Sequence, residues 1–218
     1  MNVKEFIKAW PVLGKQVRSL RLPWIDQMTT QERDPFQVLV SCILSLRTQD
    51  KTTEKASRRL FQIGRTPETL AEASAEKIEK AIYPVGFYRV KAQRIKDFSR
   101  EILRAYNGRV PDSIEELLKL KGVGRKTANL VVTAGYNRDG ICVDTHVHRI
   151  TNRWGLIKTQ NPAQTEFALR DILPRKYWKN INRNLVAFGQ GICKPISPLC
   201  TQCLINKWCK KVGVTRKR

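Results

Sequence analysis

The sequence predicts an all-α protein. Three observations carry that prediction. Apolar residues recur at three- and four-residue intervals along most of the chain, the period of one helix face. Capping residues stand ahead of several of those runs. No segment alternates apolar and polar residues as a half-buried strand would.

The elements follow in order. Asp34-Pro35 joins an N-cap to a proline at the first helical position. Phe36, Leu39, Val40, Ile43 and Leu44 then fall at i, i+3, i+4, i+7 and i+8, one face of a helix. A second helix is expected from about Thr52 to Gly64. Thr66-Pro67 opens another, and Ser74 a further one. Gly86 interrupts the pattern. A long helix follows, with Ile95, Phe98 and Ile102 on one face and Gly108 beyond its end. Ser113 and Glu116 have capping-box spacing ahead of Leu117 and Leu118. Residues 156 to 164 and the cysteine-rich tail are looser in pattern. The last residues, Thr215-Arg216-Lys217-Arg218, are expected to fray and to add nonspecific attraction for DNA.

Bulk composition bounds the function. The chain has 218 residues, of which 41% are hydrophobic and 28% charged, so it can bury a real core rather than stay disordered. The longest apolar stretches, such as Val38 to Leu46, are too short to span a bilayer. No apolar signal region follows Met1-Asn2-Val3-Lys4-Glu5. A cytoplasmic protein is expected, nucleoid-associated if prokaryotic, with no membrane contact. Lys and Arg number 41 against 19 Asp and Glu, a net charge of +22. Such self-repulsion answers to a polyanion partner, nucleic acid first and an anionic membrane second, with a solvated basic surface as the bland alternative.

Six cysteines are present: Cys42, Cys142, Cys193, Cys200, Cys203 and Cys209. Without a secretory signal a disulfide scaffold is not expected. The last four crowd into the C-terminal tail, which points to a metal site. Their spacing, C-x6-C-x2-C-x5-C, contains one C-x2-C pair where structural zinc sites favour two, and it differs from the bacterial ferredoxin run. Four thiolates suit zinc or [4Fe–4S] alike by softness. Cys42 and Cys142 lie in apolar contexts, as inert buried thiols do.

The most informative stretch is Leu120-Lys121-Gly122-Val123-Gly124-Arg125-Lys126-Thr127-Ala128-Asn129-Leu130. A short helix precedes it and an apolar helix follows. Glycines on both sides of Val123 permit a tight hairpin with exposed backbone N–H groups. Those groups, at a helix N-terminus, would clamp phosphate without reading sequence; an ordinary helix–helix turn is the plain alternative. Lys126 falls in the first helical turn, where the helix dipole and nearby Arg125 and Lys121 disfavour an ammonium. A lysine so placed can act as a nucleophile and form a Schiff base, or simply bind phosphate. Downstream, Val143-Asp144-Thr145-His146-Val147 sets an aspartate at a helix start. It is either a structural N-cap or a fixed carboxylate able to stabilise positive charge at a sugar. His146 and His148 form an H-x-H pair with no further ligands nearby in sequence, so packing or surface roles are expected.

G-V-G-R-K-T-A-N followed by V-D-T-H resembles the endonuclease III family of helix-hairpin-helix DNA glycosylases, over roughly residues 30 to 210. The resemblance implies two helical lobes. One is a central helical domain, residues 28–137, carrying the helix-hairpin-helix. The other joins residues 1–27 to 138–218 and holds a metal cluster, with damaged DNA in the groove between the lobes. It implies a bifunctional DNA glycosylase and AP lyase of base excision repair. Lys126 would attack C1′ of the damaged nucleotide, with Asp144 as its partner, and β-elimination would cut the strand 3′ to the abasic site. Oxidised pyrimidines are the implied substrates, and neither a divalent metal nor a nucleotide is required.

The same resemblance assigns Cys193, Cys200, Cys203 and Cys209 to a [4Fe–4S] cluster. It gives DNA contacts to Lys121, Gly122, Val123, Gly124 and Arg125, and to Lys194 in the loop between the first two cysteines. Two loops would hold the damaged strand open: Leu44 to Asp50 with Arg47, where the family often has glutamine, and Gly86 to Ala92 with Phe87 as an aromatic wedge. Core packing is the alternative for Phe87. Lys121 stands where the family commonly has proline. The expected partner is double-stranded DNA with damaged bases or abasic sites, bound by a monomer. The rivals are a monofunctional mismatch glycosylase, a class that generally lacks the motif lysine, and a noncatalytic redox-sensing DNA-binding protein.

Overall fold

A computed structural model describes residues 1–218. The chain is helical through most of its length and contains no strand, as its periodicity predicts. The α-helices in order are α1 Val3–Arg18, α2 Trp24–Gln31, α3 Pro35–Ser45, α4 Asp50–Ile63, α5 Pro67–Glu72, α6 Ala75–Ile82, α7 Tyr88–Tyr106, α8 Ile114–Leu117, α9 Arg125–Leu130, α10 Thr145–Arg153, α11 Pro162–Ile172 and α12 Trp178–Gly191. Two units form. One is Trp24–Gly140; the other joins Met1–Pro23 to Ile141–Arg218.

The continuous unit is organised around α3. Its start is fixed by Asp34, whose Oδ1 accepts the Phe36 and Gln37 N–H groups at 2.8 and 3.0 Å, while Gln37 Nε2 donates to Oδ2 at 3.0 Å. From Phe36 to Leu44 every residue is buried. The one-face pattern therefore understates this helix: it is buried all round, as a central helix must be. Its polar members find partners. Ser41 Oγ lies 3.4 Å from Ser57 Oγ on α4, so burial leaves no orphaned hydroxyl there. Asp34→Ala removes the cap and is expected to cost about 1–2 kcal/mol, read as a lower midpoint in urea with an unchanged slope.

The other elements of this unit differ in detail from expectation. α4 begins at Asp50, slightly ahead of Thr52, and Asp50 also accepts the Trp24 N–H at the start of α2. α7 buries Ile95, Phe98 and Ile102 completely, and Phe98 meets Phe36 edge-on with ring centroids 6.2 Å apart. It ends where Asn107 and Gly108 both turn left-handed, at φ 50° and 76°. The capping box at Ser113 is only half formed. Ser113 Oγ accepts the Glu116 N–H at 3.2 Å, but Glu116 accepts from Tyr106 Oη at 3.0 Å and Lys119 Nζ at 2.5 Å.

The discontinuous unit packs α1 on α12 and α10 on both α11 and α12. α1 opens with a complete capping box: Asn2 Oδ1 accepts the Glu5 N–H at 2.9 Å, and Glu5 Oε2 accepts the Asn2 N–H at 2.7 Å. Phe6 sits in an aromatic cluster with Trp10, Tyr177 and Trp154, at centroid distances of 5.0, 5.3 and 6.4 Å. Trp154 continues it to Phe188. His146 and His148 pack as expected of them: His148 Nδ1 lies 2.7 Å from Thr165 Oγ1 on α11, and His146 Nδ1 lies 3.2 Å from Arg149 Nη2. No helix of the chain is long and apolar enough to cross a membrane.

Candidate active site

The hairpin begins where α8 ends. Leu120 is buried and its carbonyl accepts the Val123 N–H at 3.0 Å, closing a tight turn. Gly122 takes φ 85°, a left-handed backbone that a side chain would strain. A Cβ there would also stand 3.2 Å from Arg94 Cδ. Gly124 is different. Its φ is ordinary, and nothing lies within 4 Å of where a Cβ would point. The turn itself thus requires one glycine, not two. Gly124 serves as N-cap of α9 without a side chain to cover the helix end, which leaves that end open to a ligand from outside.

Lys121, Gly122 and Gly124 are exposed around this turn, and Arg125 is half-buried. Val123 is not an exposed contact: its side chain is 6% exposed and its N–H is used inside the turn. Of the hairpin N–H groups expected to be exposed, that of Val123 is taken up in closing the turn.

Lys126 is half-buried in the first turn of α9. It lies close enough to Cys42 on α3 to act on it electrostatically. Burial pushes the Cys42 thiol up to about 12, against the pull of Lys126 and with the help of Asp26. Cys42 is therefore a neutral, unreactive thiol at neutral pH, in keeping with its apolar context. After Leu130 the helix widens into a π-turn, Val131–Gly135, where Gly135 packs on the Pro35 backbone.

Asp144 caps α10. Its Oδ1 accepts the His146 and Val147 N–H groups, both at 2.9 Å, and Oδ2 makes neither bond. The carboxylate is half-buried and fixed in orientation. Further along the same helix come two residues that sequence reasoning passed over. Arg149 Nη2 donates to Cys193 O at 3.0 Å. Arg153 Nη1 donates to Cys193 Sγ at 3.3 Å and to Lys194 O at 2.8 Å, and its Nη2 donates to Pro195 O at 3.0 Å. The signal available was a basic pair at i, i+4 on the helix that Asp144 starts.

Cys193, Cys200, Cys203 and Cys209 line one small cavity together with Trp154, Phe188 and Arg153. None of the four is in a disulfide. Burial pushes the Cys193 and Cys209 thiols up and the Cys203 thiol to about 11, and neighbouring cysteines add to each shift. Donors point at the sulfurs: Arg153 at Cys193, and the Lys211 N–H at Cys209, both at 3.3 Å. Convergent thiols with N–H···S bonds in an apolar wall fit a soft, cationic iron–sulfur group. No set of three or more His, Cys, Asp or Glu side chains is arranged around a single metal-ion position. Lys194 is half-buried beside it.

Arg47 and Phe87 come together. The loop after α3 is shorter than the sequence suggests, Leu46 to Gln49, and most of the second segment belongs to α7. Both residues take left-handed backbones, φ 52° and 57°, and the Arg47 guanidinium carbon lies 5.7 Å from the Phe87 ring centroid. Phe87 is 63% exposed, which excludes core packing.

Residues 40–175 match the sequence profile of the HhH-GPD superfamily of base excision DNA repair proteins. Endonuclease III of Thermotoga maritima is 52% identical over 180 residues, covering 83% of this chain and 84% of that protein. A non-covalent endonuclease III–DNA complex shares the fold with TM-score 0.85 at 31% identity, covering 97% of this chain and 96% of the other. A trapped endonuclease III–DNA covalent intermediate, an estranged-adenine complex, does so with TM-score 0.77 at 33% identity over 90% and 95%. The chain therefore belongs to the HhH-GPD superfamily of base excision DNA repair proteins and, within it, to the endonuclease III family.

Proposed function

We propose that the protein is a bifunctional DNA glycosylase and AP lyase acting on oxidised pyrimidines in duplex DNA, with Lys126 as nucleophile and Asp144 as its partner. The observation that carries this reading is the likeness over 90% of the chain to an endonuclease III trapped covalently on DNA, together with a lysine in the first turn after the hairpin. The neutral amine of Lys126 attacks C1′ of the flipped nucleotide. The glycosidic bond breaks and the base leaves with its electron pair and a proton. The C1′–O4′ bond then opens, O4′ taking the second amine proton, and the imine so formed between Lys126 Nζ and C1′ acidifies the C2′ proton, whose loss expels the 3′ phosphate. Asp144, held in place by its cap bonds, stabilises positive charge as it develops at the sugar. The hairpin and the net charge of +22 hold the phosphates.

Cys193, Cys200, Cys203 and Cys209 would hold a [4Fe–4S] cluster, which when bound fixes the shape of the 193–209 segment. Arg149 and Arg153 tie that segment to the helix Asp144 caps. A cytoplasmic or nucleoid setting is part of this proposal.

Borohydride reduces an imine to a stable amine, so the reading has a direct test. Protein incubated with an oxidised-pyrimidine or abasic duplex and borohydride is expected to migrate as a covalent protein–DNA adduct on a denaturing gel. Absence of any adduct, with cleavage also absent, rejects the lyase. Base release without an adduct would favour a monofunctional enzyme.

A further inference from the structure

Sequence places Lys91 in a surface loop, but the structure buries it to 3% exposure in the first turn of α7. Its Nζ donates to Leu44 O at 2.9 Å, to Leu46 O at 2.5 Å and to Thr48 Oγ1 at 3.2 Å. An ammonium has three donors, and all three are used. Two of the acceptors are carbonyls at the C-terminal end of α3, which helix geometry leaves without partners and which a cation there satisfies. Burial, with Arg94 nearby, pushes the Lys91 ammonium down to about 8, so it remains mostly charged at neutral pH.

The same contacts bring two loops to touching distance. Thr48 Oγ1, which Lys91 holds, also accepts the Gly86 N–H at 3.3 Å. A Cβ on Gly86 would stand 2.9 Å from Arg47 O, so only glycine permits this approach. On either side of the crossing stand Arg47 and Phe87, each in a left-handed conformation that costs a non-glycine residue energy. Such strain persists only where the surroundings over-determine it, and here the surroundings are the Lys91 bonds. Beside the crossing is an open cavity of about 380 Å³ lined by Leu46, Arg47, Phe87, Val90, Lys91 and Arg94.

We infer that Lys91 is a positioning residue: it locks the Arg47 and Phe87 loops to each other, so that both side chains enter the space a displaced nucleotide leaves in the duplex. Lys91 offers DNA no free donor, since it is buried and its three N–H groups are taken, and only its stem borders the cavity. The inference rests on the glycosylase and lyase reading above, and it adds a residue whose effect is confined to gap-containing DNA.

The test compares affinity for a duplex carrying a tetrahydrofuran abasic analogue with affinity for the same duplex intact. A 2-aminopurine opposite the analogue reports gap filling by fluorescence. Wild type is expected to prefer the analogue. Lys91→Met should lower the abasic-to-intact affinity ratio about tenfold and shrink the fluorescence change. Adding Phe87→Ala to Lys91→Met should cost little more, since both remove the same wedge. Thermal melting checks that the variant folds. Thr48→Val, which deletes the acceptor shared by Lys91 and Gly86, gives a milder form of the same loss if Lys91→Met is unstable. An unchanged ratio in the folded variants, or losses that simply multiply in the double variant, overturns the inference. A wild type with no abasic preference and no borohydride adduct instead defeats the functional reading on which it stands.

Discussion

Lys126→Ala is expected to form no borohydride-stable adduct with abasic DNA while staying folded. The nucleophilic amine is the one group the substitution removes that the chemistry cannot replace. Losing a covalent nucleophile costs at least about a thousandfold in rate, ~4 kcal/mol of barrier. The fold should barely register the change. Lys126 is half-buried and on the first turn of α9, where alanine is an excellent helix former. A stability change within about 0.5 kcal/mol is expected. Removing the charge also removes the pull that Lys126 exerts on the Cys42 thiol, but that thiol is neutral with or without it. The check pairs adduct formation on a gel with a denaturation curve. A folded Lys126→Ala protein that still traps DNA would assign the nucleophile elsewhere.

Asp144 separates two roles that one side chain combines. Its Oδ1 accepts two backbone N–H groups as the N-cap of α10, and its charge is assigned to the chemistry. Asparagine caps a helix about as well as aspartate but carries no charge. Asp144→Asn is therefore expected to keep the melting temperature and to lower the single-turnover rate about 10²–10⁴-fold, the usual weight of a positioned acid–base or charge-stabilising group. Asp144→Ala loses the cap as well, about 1 kcal/mol, which in a chain of this size lowers the melting temperature by about 2–4 °C. Full activity in Asp144→Asn would reduce Asp144 to a structural cap.

Local signals made much of this legible. The Asp34 cap, the buried face of α7 and the first-turn position of Lys126 rest on neighbours within a few residues, where spacing determines geometry. The aspartate cap at Asp144 was legible for the same reason, and the capping box of Asn2 and Glu5 could have announced α1. What sequence could not supply depends on distant contacts. Polar Gln37 and Ser41 break the apolar pattern of α3, yet both are buried because Asp34 and Ser57 satisfy them. The need for Gly122 but not Gly124 emerges only from the backbone angle and from Arg94. Lys91 reads as one more solvated cation among 41 basic residues; its burial depends on carbonyls more than forty residues away. Arg149 and Arg153 likewise disclose their grip on the cysteine segment only when α10 and residues 193–195 meet.

The division of the chain has a consequence for its birth on the ribosome. Trp24–Gly140 is one uninterrupted segment and can assemble as it emerges, whereas α1 must wait for α12. At about 5–20 residues per second of translation, the amphipathic α1 spends seconds without its partner, its Phe6 and Leu13 surface bare. The four cysteines follow α12 in the chain, so any metallation comes after the continuous unit has been made. Interrupted synthesis would release a chain with its hairpin complete but without the helix and thiols that finish the other unit, a natural target for holdases and proteases.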